Sequence, residues 1–84
     1  MLSIEDFVTR IGELISIEVP PSWTPYDELY NGWGLDSLQA FSLIVVIEAI
    51  SDTVVPPEEI PELYTPADAY DYYCDLVSAA AASQ

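Results

Sequence analysis

The sequence predicts an all-α fold, a four-helix bundle of three main helices and one short helix, in a single domain covering residues 1–84. Three observations predict it. Apolar residues recur at helical spacing in three segments, each opened by a capping residue. Prolines and glycines collect between those segments, and no stretch alternates over a strand's length except a few residues around Thr53 to Val55.

Ser3, with Asp6 three positions on, makes a capping-box-like start to the first helix. Ile4, Phe7, Val8, Ile11, Leu14 and Ile15 then form one stripe, with Glu5, Asp6, Thr9, Arg10 and Glu13 on the other side. This amphipathic helix is expected to run to about residue 16.

A long connection follows from Ile17 to Asp36, carrying Pro20, Pro21, Pro25, Gly32 and Gly34. Loops of that length inside small domains are uncommon and often functional. Trp23, Tyr26, Leu29, Tyr30 and Trp33 are its expected apolar anchors, and Asp27 to Tyr30 can form one helical turn. The connection reads as an ordered loop packed on helices rather than a linker.

Asp36 opens the second helix, with Gln39 in the capping-box position, and only Gln39, Ser42 and Glu48 are polar between Leu38 and Ile50. At about 100° per residue, Ala40, Leu43, Ile44, Ile47 and Ile50 share the expected core face. Leu38, Phe41 and Val45 fall near the opposite side, an apolar patch that either the long loop or a partner must cover.

Pro56, Pro57 and Pro61 bracket Glu58 to Leu63, which has room for a turn or two of helix, the short third one. Thr65, Pro66 and Asp68 fit an N-cap, a first-turn proline and a third-position acceptor for the last helix. Tyr70, Tyr73, Cys74 and Val77 are placed on its inner face and Asp68, Asp71 and Asp75 outside, with an Ala-rich tail expected to fray beyond Ser78.

Composition narrows the function classes. A chain of 84 residues supports one small core and leaves little room for a deep catalytic cleft. It is 51% hydrophobic and 19% charged, enough apolar surface to fold unaided. A single cysteine, Cys74, and no histidine exclude an internal disulfide and the usual zinc ligand sets. The acids are scattered with no nucleophile paired to a base, so the chain is not expected to be an enzyme. No run of about 18 apolar residues and no basic-then-apolar leader point to a soluble, cytoplasmic protein.

One Lys+Arg, Arg10, stands against 15 Asp+Glu, for a formal net charge of -14. Such a surface repels phosphate backbones and anionic lipid heads, so neither nucleic acid nor membrane is an expected partner. Basic protein surfaces are favoured instead, although acids also simply keep a small apolar-rich domain soluble.

Gly34-Leu35-Asp36-Ser37-Leu38 stands at the junction of loop and second helix. This motif, with the order helix, long loop, apolar helix, short proline-bounded helix and capped last helix, resembles the acyl carrier protein family over nearly the whole chain. The resemblance implies a bundle of acyl-carrier-protein type with a long first loop. It also implies a 4'-phosphopantetheine arm, delivered from coenzyme A by a phosphopantetheinyl transferase onto the Ser37 hydroxyl, with the cargo held as a thioester on the arm's thiol. Ser37 would occupy the first helical position, where amides are not yet paired within the helix and the dipole favours a phosphate, an advantage that Asp36 partly opposes.

Asp36 has two compatible roles, an N-cap worth about 1 kcal/mol and, by the resemblance, part of the transferase's recognition surface. The resemblance also implies docking of loading and transferring enzymes on the second helix, through Leu38 and Val45, with Asp36 and Glu48 answering basic side chains. For Phe41 docking and burial under the loop stand equally. Gln39, Ser42 and Ala49 interrupt the acidic pattern of the fatty-acid type, so recognition here rests more on apolar contact. In the family such core residues as Ala40, Leu43, Ile44, Ile47, Tyr70 and Tyr73 can part for an acyl chain, and the bulky tyrosines would suit a short or polar cargo. Trp33, where the family more often has a smaller apolar residue, departs from its pattern.

The expected function is thus a discrete, monomeric carrier of an acyl or aminoacyl group in polyketide, fatty-acid-like or related secondary metabolism. The start at Met1 favours a free-standing protein. Two alternatives stay open: a peptidyl carrier of nonribosomal peptide synthesis, and a non-modified acidic domain that binds a basic protein through its apolar helix.

Overall fold

The structure, a computed structural model, describes residues 1–82. Three α-helices form it: α1 (Ile4–Leu14), α2 (Ser37–Ser51) and α3 (Pro66–Ala82), with one 3-10 turn, Pro57–Glu59, between the last two. Among the described residues there is no strand, including around Thr53 to Val55. α2 packs most extensively on α3, and α1 touches both.

Each helix starts where a side chain can take up its orphan amides. Ser3 accepts from the Asp6 amide at 3.2 Å, half of a capping box. Before α3, Thr65 Oγ1 accepts from the Asp68 amide at 3.1 Å and Asp68 Oδ2 accepts from the Thr65 amide at 3.3 Å, with Pro66 at the first helical position. The carbonyl of Pro25 in the long loop accepts from the Ala67 amide at 2.8 Å, so the loop itself helps to cap α3.

The ends of α1 and α2 use left-handed residues. Ser16 has φ 57° and the Ile17 amide reaches back to the Gly12 carbonyl at 3.1 Å, while Asp52 has φ 54° and the Thr53 amide reaches the Glu48 carbonyl at 3.0 Å. Helix α1 therefore stops at Leu14, short of the expected residue 16.

The core joins Phe7, Val8 and Ile11 of α1 to Leu43, Ile44 and Ile47 of α2 and Ala69, Tyr73 and Leu76 of α3. Leu29, Trp33 and Leu35 enter it from the loop, and Leu63 from the segment before α3. Phe7 sits against Tyr70 and Tyr73 with ring centroids 5.4 and 5.1 Å away. Those tyrosines also hold the N-terminal segment: Tyr70 donates to the Leu2 carbonyl at 2.7 Å and Tyr73 accepts from the Leu2 amide at 3.0 Å.

Several expectations change. Leu14 ends the α1 stripe but is exposed, because the chain turns away at Ser16 before anything covers it. Of the five loop anchors, Leu29 and Trp33 are buried and Trp23 half-buried against Trp33, whereas Tyr26 and Tyr30 face outward. The loop's helical turn lies one residue later than expected, where the Glu28 carbonyl accepts from the amides of Gly32 and Trp33. Any Cβ at position 32 would lie 2.6 Å from that same carbonyl oxygen, so the close approach requires glycine.

The expected short helix over Glu58 to Leu63 shrinks to the single 3-10 turn, because Pro61 forces Ile60 into an extended conformation, ψ 121°. On α3 the deepest residues are Pro66, Ala69, Tyr73 and Leu76, while Tyr70, Cys74 and Val77 are half-buried. Asp68, assigned to the outside, is half-buried because it serves the cap. The tail expected to fray beyond Ser78 stays helical through Ala82, the strong helix-forming tendency of alanine prevailing; its last two positions, 83 and 84, lie outside the described residues.

The Tyr72 hydroxyl is buried with no hydrogen-bond partner among the described residues. Burial first, then the negative field of Glu48, pushes its pKa up. Burial, followed by a hydrogen bond with Cys74, does the same for Tyr70. Tyr72→Phe should therefore raise stability by about 1 kcal/mol in urea unfolding, since an unsatisfied hydroxyl is removed without a cavity. A phenol whose folded pKa lies above its unfolded value keeps its full contribution below pH of about 10, and loses it as pH climbs through the folded pKa. Unfolding midpoints should fall above that pH, and less steeply in Tyr72→Phe.

Candidate functional site

The junction of loop and α2 is built by three successive residues with different tasks. Gly34 has φ +75°, and nothing lies within 4 Å of where a Cβ would stand, so backbone conformation rather than crowding calls for glycine. Leu35 is buried, and its amide donates to the Leu29 carbonyl at 3.1 Å, which nails the chain to the core one step before the helix. Asp36 is the N-cap: its Oδ1 accepts from the Gln39 amide at 2.7 Å, while Gln39 Oε1 accepts from the Asp36 amide at 3.1 Å. This reciprocal capping box agrees with the sequence reading.

Ser37 is the first residue of α2 and is exposed. Among the described residues, its hydroxyl makes no hydrogen bond, and neither its own amide nor that of Leu38 is taken. The arrangement thus offers an open hydroxyl beside two open N–H groups on a backbone held rigid from both sides. It can accept an electrophile, and an anion bound there meets the positive end of the helix.

Leu38, Phe41 and Val45 are 74%, 62% and 47% exposed, so the long loop does not cover them. With Ser37 they lie along one side of the helix, and the stripe continues over exposed Ala49 to Val54, which is 88% exposed. Val54 escaped the sequence reading because only the left-handed turn at Asp52 brings it alongside Val45, Glu48 and Ala49 around one shallow hollow. Glu48 is half-buried at the edge of that hollow and close enough to α3 to act on Tyr72.

A cavity of about 160 Å³ opens on the other flank of α2's first two turns. Leu29, Leu35, Leu43, Ile44 and Leu63 floor it, and Tyr30, Phe41 and Glu62 stand around it. Tyr70 and Tyr73, expected to restrict such a space, do not line it; they are engaged with Phe7 and Leu2.

The rest of the loop stiffens the site. Asp27 accepts from the Thr24 amide at 3.0 Å, the Thr24 hydroxyl at 2.8 Å and the Trp33 indole at 3.2 Å. Thr24, through both groups, and then Trp33 hold the Asp27 carboxyl below the usual aspartate range. Among the described residues no group of His, Cys, Asp and Glu is arranged to hold a metal ion, and no helix is long and apolar enough to cross a membrane.

No protein-family model matches the chain, and no solved structure matches it.

Two outcomes test this description. Asp36→Ala should cost about 1 kcal/mol in urea unfolding, the loss of the cap. Replacing Leu38 and Val45 together with glutamine should leave the unfolding free energy within about 0.5 kcal/mol, as for surface positions with no packing role. A larger loss would mean that the stripe is held by the fold.

Proposed function

We propose that this chain is an acyl carrier protein that bears 4'-phosphopantetheine on Ser37. The observation that carries the reading is the open Ser37 hydroxyl at the first position of a capped helix, fixed by Gly34, Leu35 and Asp36. In the transfer, the Ser37 oxygen would attack the phosphorus of coenzyme A's diphosphate that is bonded to the pantetheine. The new P–O bond forms as the bond to the adenosine bisphosphate half breaks, and the serine proton passes to a base of the transferase. Asp36 keeps the helix start in register for that enzyme.

Nothing in this step asks the carrier to supply catalysis. The bound arm then carries an acyl or aminoacyl group as a thioester to enzymes of polyketide, fatty-acid-like or related biosynthesis. Leu38, Phe41 and Val45 supply apolar contact and Glu48 a charge, while the overall negative charge steers basic partners from a distance. In this reading the protein is a cytoplasmic monomer of the carrier-protein bundle type, and the Pro57–Glu59 turn takes the place of the short third helix. Peptidyl carriage differs only in the cargo.

The exposed apolar stripe favours one other reading, a non-modified acidic domain that binds a basic protein. Mass spectrometry separates the two. Incubation with coenzyme A and a broad-specificity transferase should add one phosphopantetheine to the folded protein and none to Ser37→Ala. No gain in the parent protein selects the interaction domain, and an equal gain in Ser37→Ala moves the attachment elsewhere.

A further inference from the structure

The cavity beside α2 differs from the outer stripe in shape and chemistry. Its floor is apolar, with Leu29, Leu43 and Ile44 almost fully buried, yet Tyr30 and Phe41 at its mouth stay 42% and 62% exposed. Glu62 stands in the same wall. Its Oε2 accepts a hydrogen bond from the Tyr64 hydroxyl, and its Oε1 has no partner among the described residues. That hydrogen bond, then the Glu62 charge and then desolvation, push the Tyr64 pKa up, so the phenol remains a donor.

We propose that this cavity seats the side chain of one arginine from a partner protein. A space near 160 Å³ holds one side chain; an apolar cavity of about 150 Å³ accommodates a benzene ring. The floor suits the aliphatic stem, the exposed aromatic rings suit the flat face of a guanidinium, and the free carboxylate oxygen of Glu62 suits its N–H groups. A purely apolar side chain would desolvate Glu62 without replacing its water, and an acidic one would be repelled. Lysine lacks the planar group that can stack and hydrogen-bond at once. Charge complementarity extends past the cavity: among the described residues no carboxylate is paired with a cation, so the negative field that draws a basic partner in is not neutralised within the fold.

The inference goes beyond the carrier reading and does not need Ser37 to be modified. Its test accordingly uses the Ser37→Ala protein, isotope-labelled, titrated by NMR with the blocked tripeptide Leu-Arg-Leu and with the same peptide carrying citrulline. The arginine peptide should shift the amides of Tyr30, Phe41 and Glu62 saturably, and the citrulline peptide should bind about fivefold more weakly. Glu62→Gln should weaken the arginine peptide by a similar factor. Glu13→Gln, an equal change of charge on exposed α1, should change it less than about twofold.

Absence of a saturable shift up to millimolar peptide, equal binding of the two peptides, or equal losses in the two variants overturns the proposal. So do shifts confined to Val45 through Val54. If those cavity amides respond instead to an acyl thioester on the modified parent protein and not to the arginine peptide, the occupant is the cargo and the arginine assignment fails.

Discussion

Everything around α2 depends on how the long loop satisfies its backbone while lying against the core. A loop pressed into a small domain carries polar groups that have lost water, and each unpaired one costs as much as a lost hydrogen bond. Here the groups that matter are paired across elements: the Leu29 amide to the Tyr64 carbonyl at 2.8 Å, the Leu35 amide to the Leu29 carbonyl at 3.1 Å, and the Ala67 amide to the Pro25 carbonyl at 2.8 Å. Leu29, 1% exposed, lies at the centre of this lattice. The loop consequently joins the start of α2 to the start of α3, and the two candidate sites, the Ser37 hydroxyl and the cavity, both lie along that seam.

Charge sets the opposing demand. A net charge of -14 with no ion pair among the described residues makes compaction work against self-repulsion. The acids serve locally where they can: Asp36 and Asp68 cap helices, Asp27 ties Thr24 to Trp33, and Glu62 receives Tyr64. Cohesion is left to the apolar core and its aromatic contacts, which salt does not screen as it screens an ion pair. A chain built this way leaves its negative field uncompensated by ion pairs within the fold.

Local chemistry was largely legible in the sequence. The two capping pairs, Asp36 with Gln39 and Thr65 with Asp68, act over three residues and are realised as read. The inner face of α2 and the placing of Leu38, Phe41 and Val45 opposite it followed from helical spacing; that the long loop leaves them uncovered did not. What escaped depends on contacts between distant residues. Tyr26 and Tyr30 look like anchors by type, but a loop has no fixed period to say which side chain turns inward. The burial of Ala69 and Leu76 was missed because α3 has small and large apolar residues on several faces, and only its packing on α2 selects among them. The cavity was invisible for the same reason, since Tyr30, Phe41 and Glu62 meet only when the loop, α2 and the segment before α3 are assembled.

Helix α2 shows how such a sequence divides its labour. A helix apolar on nearly all sides normally lies in the middle of a protein. Here α1, α3 and the loop cover only part of its circumference, so leucine, phenylalanine and valine on the remaining strip face water. That exposure carries no folding benefit, and polar residues would serve solubility better there. The apolar strip starts beside an open hydroxyl and is bordered by a cavity, and the fold itself gives it no packing role. Inner and outer positions of this one helix therefore differ in kind: Leu43, Ile44 and Ile47 are buried in the bundle and hold it together, whereas Leu38, Phe41 and Val45 contribute little to its packing.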